Sequence, residues 1–477
     1  MQNAKNFYID GKWVAPAKAR DMAVIDPSTE EVCATISLGD QADTDAAVAA
    51  ARRAFATWGM TDPAERIVLV EKLLEVYNAR AEEMSRAISL EMGAPIDMAR
   101  SSQTTSGSWH IEGFLRAARE FVWDHPLGDW APTERTIHEP IGVCALITPW
   151  NWPMNQIALK VIPALLAGCT MVLKPSEIAP LSGLLFSEFL HESGVPAGVY
   201  NMVNGDGPGV GSQLSAHPDV DMVSFTGSTR AGRLISKAGA ETIKRISLEL
   251  GGKGANIIFA DADPKAVKQG VIRCFRNTGQ SCNAPTRMLV ERSRYDQAIE
   301  EAAETAAKIT VGPASEEGRH IGPAVSELQF DKIQALIQKG IDEGARLLAG
   351  GTGRPENLNR GYYIRPTVFA DVTPEMTIYR EEIFGPVLSI MPFEDEEHAL
   401  AIANDTDYGL TNYVQTGDVQ RFRRMARRLR SGMVEGNGTG FAQGSPFGGY
   451  KQSGNGREGG TFGLHEFLEV KAVSGWG

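Results

Sequence analysis

Two hydrophobic rhythms divide this chain. After a short segment, Phe7-Tyr8-Ile9-Asp10-Gly11-Lys12-Trp13, that reads as a hairpin, apolar residues recur every three or four positions over Ala46–Trp58 and Glu65–Met92. That spacing lays one apolar stripe along a helix. From Gly142 the pattern changes to short apolar runs at Ala145–Trp150, Thr170–Lys174, Val199–Val203, Met222–Phe225 and Ile246–Leu250, with helical stretches between them. Parallel strands buried on both faces have this composition, and their alternation with helices predicts a Rossmann-like, doubly wound nucleotide-binding domain. A further series, Ala255–Phe259, Met288–Glu291, Val387–Met391, Thr411–Gln415 and Met433–Asn437, predicts a second α/β domain. The expected α/β division is one domain from 1–120 and 141–251, a second from 252–460, and two strand-like stretches, 121–140 and 461–477, that fit neither.

Composition narrows the function. A chain of 477 residues, 43% hydrophobic, exceeds what one core usually supports. Its net charge of −12 argues against a nucleic-acid partner. The one dense basic run, Arg421–Arg430, reads as the solvated face of a helix. The longest apolar run, Ile157–Leu173, is interrupted by Lys160 and Pro163, so no membrane span is expected and the protein is expected to be soluble and cytoplasmic. Five scattered cysteines without a Cys-x-x-Cys pair indicate neither a disulfide framework nor a metal site. Catalytic groups are therefore sought among Cys, Glu, Lys and Asn.

Five local motifs carry chemistry. Phe275-Arg276-Asn277-Thr278-Gly279-Gln280-Ser281-Cys282 sets a thiol in a loop after a helical run; the same residues would also suit a buried structural cysteine. Ser247-Leu248-Glu249-Leu250-Gly251-Gly252-Lys253 embeds a carboxylate at an apolar strand end, where burial raises its basicity, although a solvated Glu fits there equally well. Pro149-Trp150-Asn151-Trp152-Pro153 frames one amide at the carboxyl end of the first Rossmann-like strand, suited to an oxyanion or to a packed turn. Phe225-Thr226-Gly227-Ser228 runs a strand into a helix N-terminus, a place for pyrophosphate. Leu173-Lys174-Pro175-Ser176-Glu177 ends a strand with a cation and an anion, where an acid can hold ribose hydroxyls. Gly454-Asn455-Gly456-Arg457-Glu458-Gly459 literally matches G-x-G-x-x-G, but no strand precedes it, and it is not read as a phosphate loop.

In this order, and together with Glu381-Glu382-Ile383-Phe384-Gly385-Pro386, the motifs resemble the aldehyde dehydrogenase superfamily over nearly the whole chain. The resemblance implies oxidation of an aldehyde to a carboxylic acid with NAD(P)⁺. It makes 1–120 and 141–251 the NAD(P)-binding domain, 252–460 the catalytic domain, and 121–140 with 461–477 an oligomerisation element of a homodimer or homotetramer. It implies Cys282 as nucleophile, Glu249 as base, Asn151 with the Cys282 amide as oxyanion hole, and Lys160 as support for the proton path. Lys174, Ser176 and Glu177 would face the adenosine ribose, Gly227 and Ser228 the pyrophosphate, and Trp150, Leu250, Glu382 and Phe384 the remaining cofactor wall. Glu177 would favour NAD⁺, with Lys174 and Ser176 admitting some NADP⁺. The expected substrate pocket is Trp152, Gln156, Phe275, Arg276, Ser281, Asn283, Phe441 and Phe447, with Arg276 a partner for a semialdehyde's distal polar or carboxylate group. Two rivals are weighed: a thiol hydrolase would want a histidine base, which no motif supplies, and a non-catalytic protein could keep the fold alone; aldehyde-dependent NADH formation separates the enzyme from both.

Overall fold

The computed structural model describes residues 3–476. Its first sheet comprises β1 (Phe7–Ile9), β2 (Lys12–Val14), β3 (Val143–Ile147), β4 (Thr170–Lys174), β5 (Tyr200–Met202), β6 (Met222–Thr226) and β7 (Arg245–Glu249). Their spatial order is β7-β6-β3-β4-β5-β1-β2. Strands β3 to β7 are parallel, and the expected β1–β2 hairpin joins them as an antiparallel edge through Tyr8 against Met202. Side chains of β3 alternate between two cores: Cys144 and Leu146 enter one, and Val143, Ala145 and Ile147 the other. With both faces covered, every position is apolar, which is why the strand reads as an unbroken run. β3 and β6 are sheet neighbours but not consecutive in the chain. Beyond their carboxyl ends the order reverses and a ligand crevice opens.

The helices that bear on the site are α1 (Gln41–Trp58), α2 (Pro63–Ala79), α3 (Ala81–Met92), α4 (Thr105–Glu120), α5 (Pro153–Ala167), α6 (Leu181–Ser193), α7 (Thr229–Gly239) and α8 (Ala266–Phe275). The structure corrects two expectations. Helix α1 begins at Gln41 rather than Ala46, because Asp40 accepts from the Ala42 and Asp43 amides while Asp43 returns a bond to the Asp40 amide, a capping box over a polar first turn. The stretch Glu65–Met92 is two helices broken at Arg80 (φ −109°, ψ 19°), whose guanidinium pairs with Glu83, Glu188 and Glu192.

The second sheet comprises β8 (Ala255–Ile258), β9 (Arg287–Glu291), β10 (Arg346–Ala349), β11 (Thr367–Ala370), β12 (Val387–Phe393), β13 (Thr411–Gln415) and β14 (Met433–Gly436), ordered β10-β11-β12-β9-β8-β13-β14. Sequence reading missed β10 and β11, as well as a hairpin of Asp21–Asp26 with Glu31–Ser37. The strand-like stretches outside both sheets find each other: Leu468–Ser474 pairs antiparallel with Glu134–Pro140, which pairs in turn with Asp124–Pro126. The basic run lies on the helix Val419–Arg428, where Arg421, Arg424 and Arg428 pair with Asp261, Glu396 and Glu397 on the surface. Among the described residues no helix is long and apolar enough to cross a membrane.

Candidate active site

Cys282 stands where two cavities meet. One, about 210 Å³, opens at the reversal of the first sheet and is walled by Trp150, Asn151, Gly227, Ser228, Glu382 and Phe384. The other, about 310 Å³, lies between α4, α5 and the 441–447 loop, with Trp152, Ser281, Phe441 and Phe447 on its wall. Cys282 and Gln156 line both.

The loop that delivers Cys282 is bent against its own preference. Asn277 (φ 55°), Thr278 (φ 57°) and Gly279 (φ 71°) follow α8 in left-handed conformations, which cost a non-glycine residue about 1–2 kcal/mol each. Gly279 is obligatory, because an added Cβ would lie 2.0 Å from the Gly385 carbonyl. Hydrogen bonds hold the bend: Thr278 Oγ1 donates to Gly322 O at 2.9 Å, and Gln280 Oε1 accepts from the Val325 amide at 2.9 Å. Asn151 is tied to the same loop. Its Nδ2 donates to Gln280 O at 3.0 Å, while its backbone carbonyl accepts from Gln103 Nε2 at 3.0 Å and Asn277 Nδ2 at 2.9 Å. One Asn151 amide proton is thus committed and the other is left for the cavity.

Glu249 ends β7, is 2% exposed, and neither carboxylate oxygen has a partner. Burial raises its carboxyl well above the usual range, and the negative charge of Glu458 adds to this; Lys160 and Arg457 oppose it. The counter-ion of Lys160, buried inside α5, is Glu458: Nζ lies 2.5 Å from Oε1. Glu458 belongs to the Gly454–Gly459 stretch, which folds over β7 instead of cradling a phosphate. Gly454 (φ +119°) comes so near that a Cβ would lie 2.0 Å from Leu248 O, and a Cβ on Gly448 would lie 2.7 Å from Glu249 Oε1. Burial also pushes up the Cys282 thiol, as do the charges of Glu382, Glu249 and Glu458, so the resting sulfur is protonated and must be deprotonated to react.

Residues 13–473 match the aldehyde dehydrogenase family. A 3-succinoylsemialdehyde-pyridine dehydrogenase of a Pseudomonas species is 53% identical over all of this chain and 99% of its own length. The chain belongs to the aldehyde dehydrogenase family. Solved structures agree. An aldehyde dehydrogenase of Bartonella henselae superposes with a TM-score of 0.98 at 60% identity over 99% of each chain. Aldehyde dehydrogenase C of Pseudomonas syringae, solved with NAD⁺ and octanal, gives 0.98 at 49% identity over 100% of this chain and 98% of its own.

Within this aldehyde dehydrogenase, most residues singled out from sequence converge on the two cavities. Trp150 and Phe384 meet edge to face at 5.4 Å, and Phe384 is held left-handed (φ 59°) with its carbonyl accepting from Gln329 Nε2. Glu382 Oε1 accepts from the Gly252 amide at 2.8 Å; burial pushes its carboxyl up to about 7. Leu250 lines the same cavity, and Ser228 caps α7 through the Ala231 amide. Lys174 Nζ bonds Glu177 at 3.1 Å at the end of β4, and Ser176 Oγ accepts from Ile178; these three lie outside the first cavity's wall. Trp152 Nε1 donates to Ser281 Oγ at 2.8 Å, and Arg276 and Asn283 also line the second cavity. Phe275 is a correction: it is fully buried in the core with Val271, Cys274 and Met288, because the last turn of α8 directs it inward, and it touches neither cavity. Sequence reading missed Glu458, Gln103 and the supporting role of Asn277. A lysine within an apolar run needs a buried counter-ion, and that requirement was the available signal for Glu458.

Proposed function

We propose that this enzyme oxidises its aldehyde through a covalent thioester on Cys282 that Glu249 releases by activating water. The observation that carries the reading is that Cys282 lines both cavities, so one thiol can reach a substrate on one side and a redox cofactor on the other. In the first step the Cys282 thiol gives up its proton to solvent, the sulfur adds to the aldehyde carbon, and the carbonyl electrons move to oxygen. The Asn151 Nδ2 proton and the Cys282 amide stabilise that oxyanion. As it collapses, the carbon gives up its hydride and becomes a thioester. Glu249 then takes a proton from water, the hydroxide adds to the thioester, and the Cys282 thiolate leaves with release of the carboxylic acid. No histidine takes part.

The first cavity fits a dinucleotide. It lies at the carboxyl ends of β3 and β6, beside the α7 N-terminus, with an aromatic wall from Trp150 and Phe384. NAD⁺, when bound, supplies the hydride acceptor. Gly227 and Ser228 would hold its pyrophosphate, Lys174, Ser176 and Glu177 the adenosine ribose, and Leu250, Glu382 and Phe384 the nicotinamide side. Relatives crystallised with NAD⁺ support that identity. NAD⁺ is preferred over NADP⁺ because the Glu177 carboxylate opposes a 2′-phosphate.

The same reading assigns residues 1–120 and 141–251 to cofactor binding and 252–460 to catalysis. It assigns 121–140 and 461–477 to assembly of a homodimer or homotetramer acting on a small-molecule aldehyde in the cytoplasm. Aldehyde-dependent NADH formation tests it: the enzyme should show it and Cys282→Ala should not, whereas NADH formation by Cys282→Ala would refute the nucleophile.

A further inference from the structure

We propose that Gln103, on a π-helical turn outside both cavities, is a positioning residue that aims the Asn151 amide at the aldehyde oxygen. This deepens the reading of Asn151 as oxyanion donor and rests on it. The six-residue π turn, Ala99–Thr104, interrupts the helical layer just before α4. Turns of this kind widen a helix locally and recur at functional sites. This one is clamped from behind: Tyr77 Oη donates to the Thr104 carbonyl at 2.7 Å, and Ser85 Oγ and Thr104 Oγ1 share a hydrogen bond of 2.8 Å. On its other side it reaches the site at two points. Ser102 Oγ accepts from Arg276 Nη2 at 2.6 Å, and Gln103 Nε2 donates to Asn151 O at 3.0 Å and to Asn277 Oδ1 at 3.2 Å.

Three primary amides from three parts of the chain thereby close on one another. Asn277 Nδ2 donates to Asn151 O at 2.9 Å and to Gln280 O at 3.2 Å, and Gln280 O accepts in turn from Asn151 Nδ2 at 3.0 Å. The Asn151 carbonyl thus fills both lone pairs with side-chain donors. Its peptide plane is fixed relative to Gln280, two residues from Cys282. These partners also set the orientation of the Gln103 amide, since turning it over would face its carbonyl against two acceptors. Gln103 is fully buried and its Oε1 has no partner, so the side chain burdens the core around it. Besides the Met92 sulfur at 3.7 Å, its donors reach only the site. Asn151 lies in a turn between β3 and α5 whose N-cap residue, Trp152, makes no side-chain capping bond, so Gln103 and Asn277 supply the anchorage there. An oxyanion donor works by being aimed before charge develops, and a displacement of about 1 Å can cost about a hundredfold in rate.

The test follows the first NADH formed on rapid mixing with saturating NAD⁺ and whichever of propanal, hexanal and octanal the wild-type enzyme oxidises fastest. Wild type is compared with Gln103→Met, Asn277→Gly, Asn151→Ala, and each of the first two combined with Asn151→Ala. Methionine keeps the length of Gln103 without its donors, and glycine keeps the left-handed backbone at 277. The same bracket is cut from both sides, so either cut carries the test if the other fails to fold. Each cut should slow hydride release about tenfold or more while changing the aldehyde KM by less than about threefold. In the combined variants it should add less than about threefold to the loss from Asn151→Ala, because the amide it aims is gone. Wild-type rates in both cuts, losses that multiply in the combined variants, or a rise in KM matching the fall in rate would overturn the inference while leaving Asn151 as the donor. An unimpaired Asn151→Ala would instead overturn the reading of Asn151, and the inference with it.

Discussion

Lys160 and Glu458 form an ion pair of 2.5 Å with both side chains buried, on two segments far apart in the chain. Glu249 lies in the field of this pair with both oxygens free. The pair therefore acts on the Glu249 carboxyl from two sides: the lysine charge lowers its affinity for protons and the Glu458 charge raises it.

A pH prediction follows. In the proposed mechanism Glu249 acts as a base only when ionised, and burial followed by the Glu458 charge raises its pKa, so thioester hydrolysis should accelerate as pH rises and slow as the carboxyl is protonated on acidification. Glu458→Gln removes a negative neighbour and should move the rising limb of kcat to lower pH. Lys160→Met removes a positive neighbour and should move it higher. Steady-state kcat profiles for the three proteins check this, and profiles moving in the same direction would contradict it.

The proposed cofactor choice rests on charge at the end of β4. Glu177, paired with Lys174 at 3.1 Å and a quarter exposed, presents a carboxylate to the proposed ribose site. kcat/KM should favour NAD⁺ over NADP⁺, and Glu177→Gln, which frees Lys174 to meet a 2′-phosphate, should narrow the ratio by about tenfold. A wild-type preference for NADP⁺ would reject the assignment.

The sheet formed by 124–126, 134–140 and 468–474 ends in an unpaired strand edge. Val470 on that strand is 64% exposed, and beyond Leu468 the strand is largely solvated. Bare edges accept strands from other chains. Val470→Asp and a chain ending at Phe467 should both lower the sedimentation mass relative to the full protein, and unchanged mass in both would remove this strand from assembly.

Strands buried on both faces were legible as short runs between helical stretches: Thr170–Lys174 and Thr411–Gln415 were read to the residue, although Lys174, Thr411 and Asn412 are buried polar positions within them. Cys282, Glu249 and Asn151 stand out in the sequence as polar groups in apolar or glycine-rich frames, and the structure places Cys282 and Asn151 on the first cavity's wall and Glu249 buried at the end of β7. Long-range pairing was not legible. Glu458 sat inside a literal glycine motif whose glycines serve close packing against β7, and only the fold brings it to Lys160. Phe275 misled because nearness in sequence to Cys282 is not nearness to the cavity: the last turn of α8 points it into the core and the left-handed bend after it turns the chain toward the site.

The proposed division of labour between Cys282 and Glu249 is tested most directly by rapid mixing of Glu249→Gln with aldehyde and NAD⁺ at alkaline pH, followed by intact-protein mass measurement. The substitution keeps the side-chain size but removes the base, so one hydride can leave while the acyl group remains. The expected result is a burst of up to about one NADH per active site, turnover slowed about a hundredfold or more, and an acyl mass on Cys282. Cys282→Ala in the same experiment should give neither burst nor adduct. Near-normal steady turnover by Glu249→Gln, or an adduct mapping to Cys274, would contradict the account.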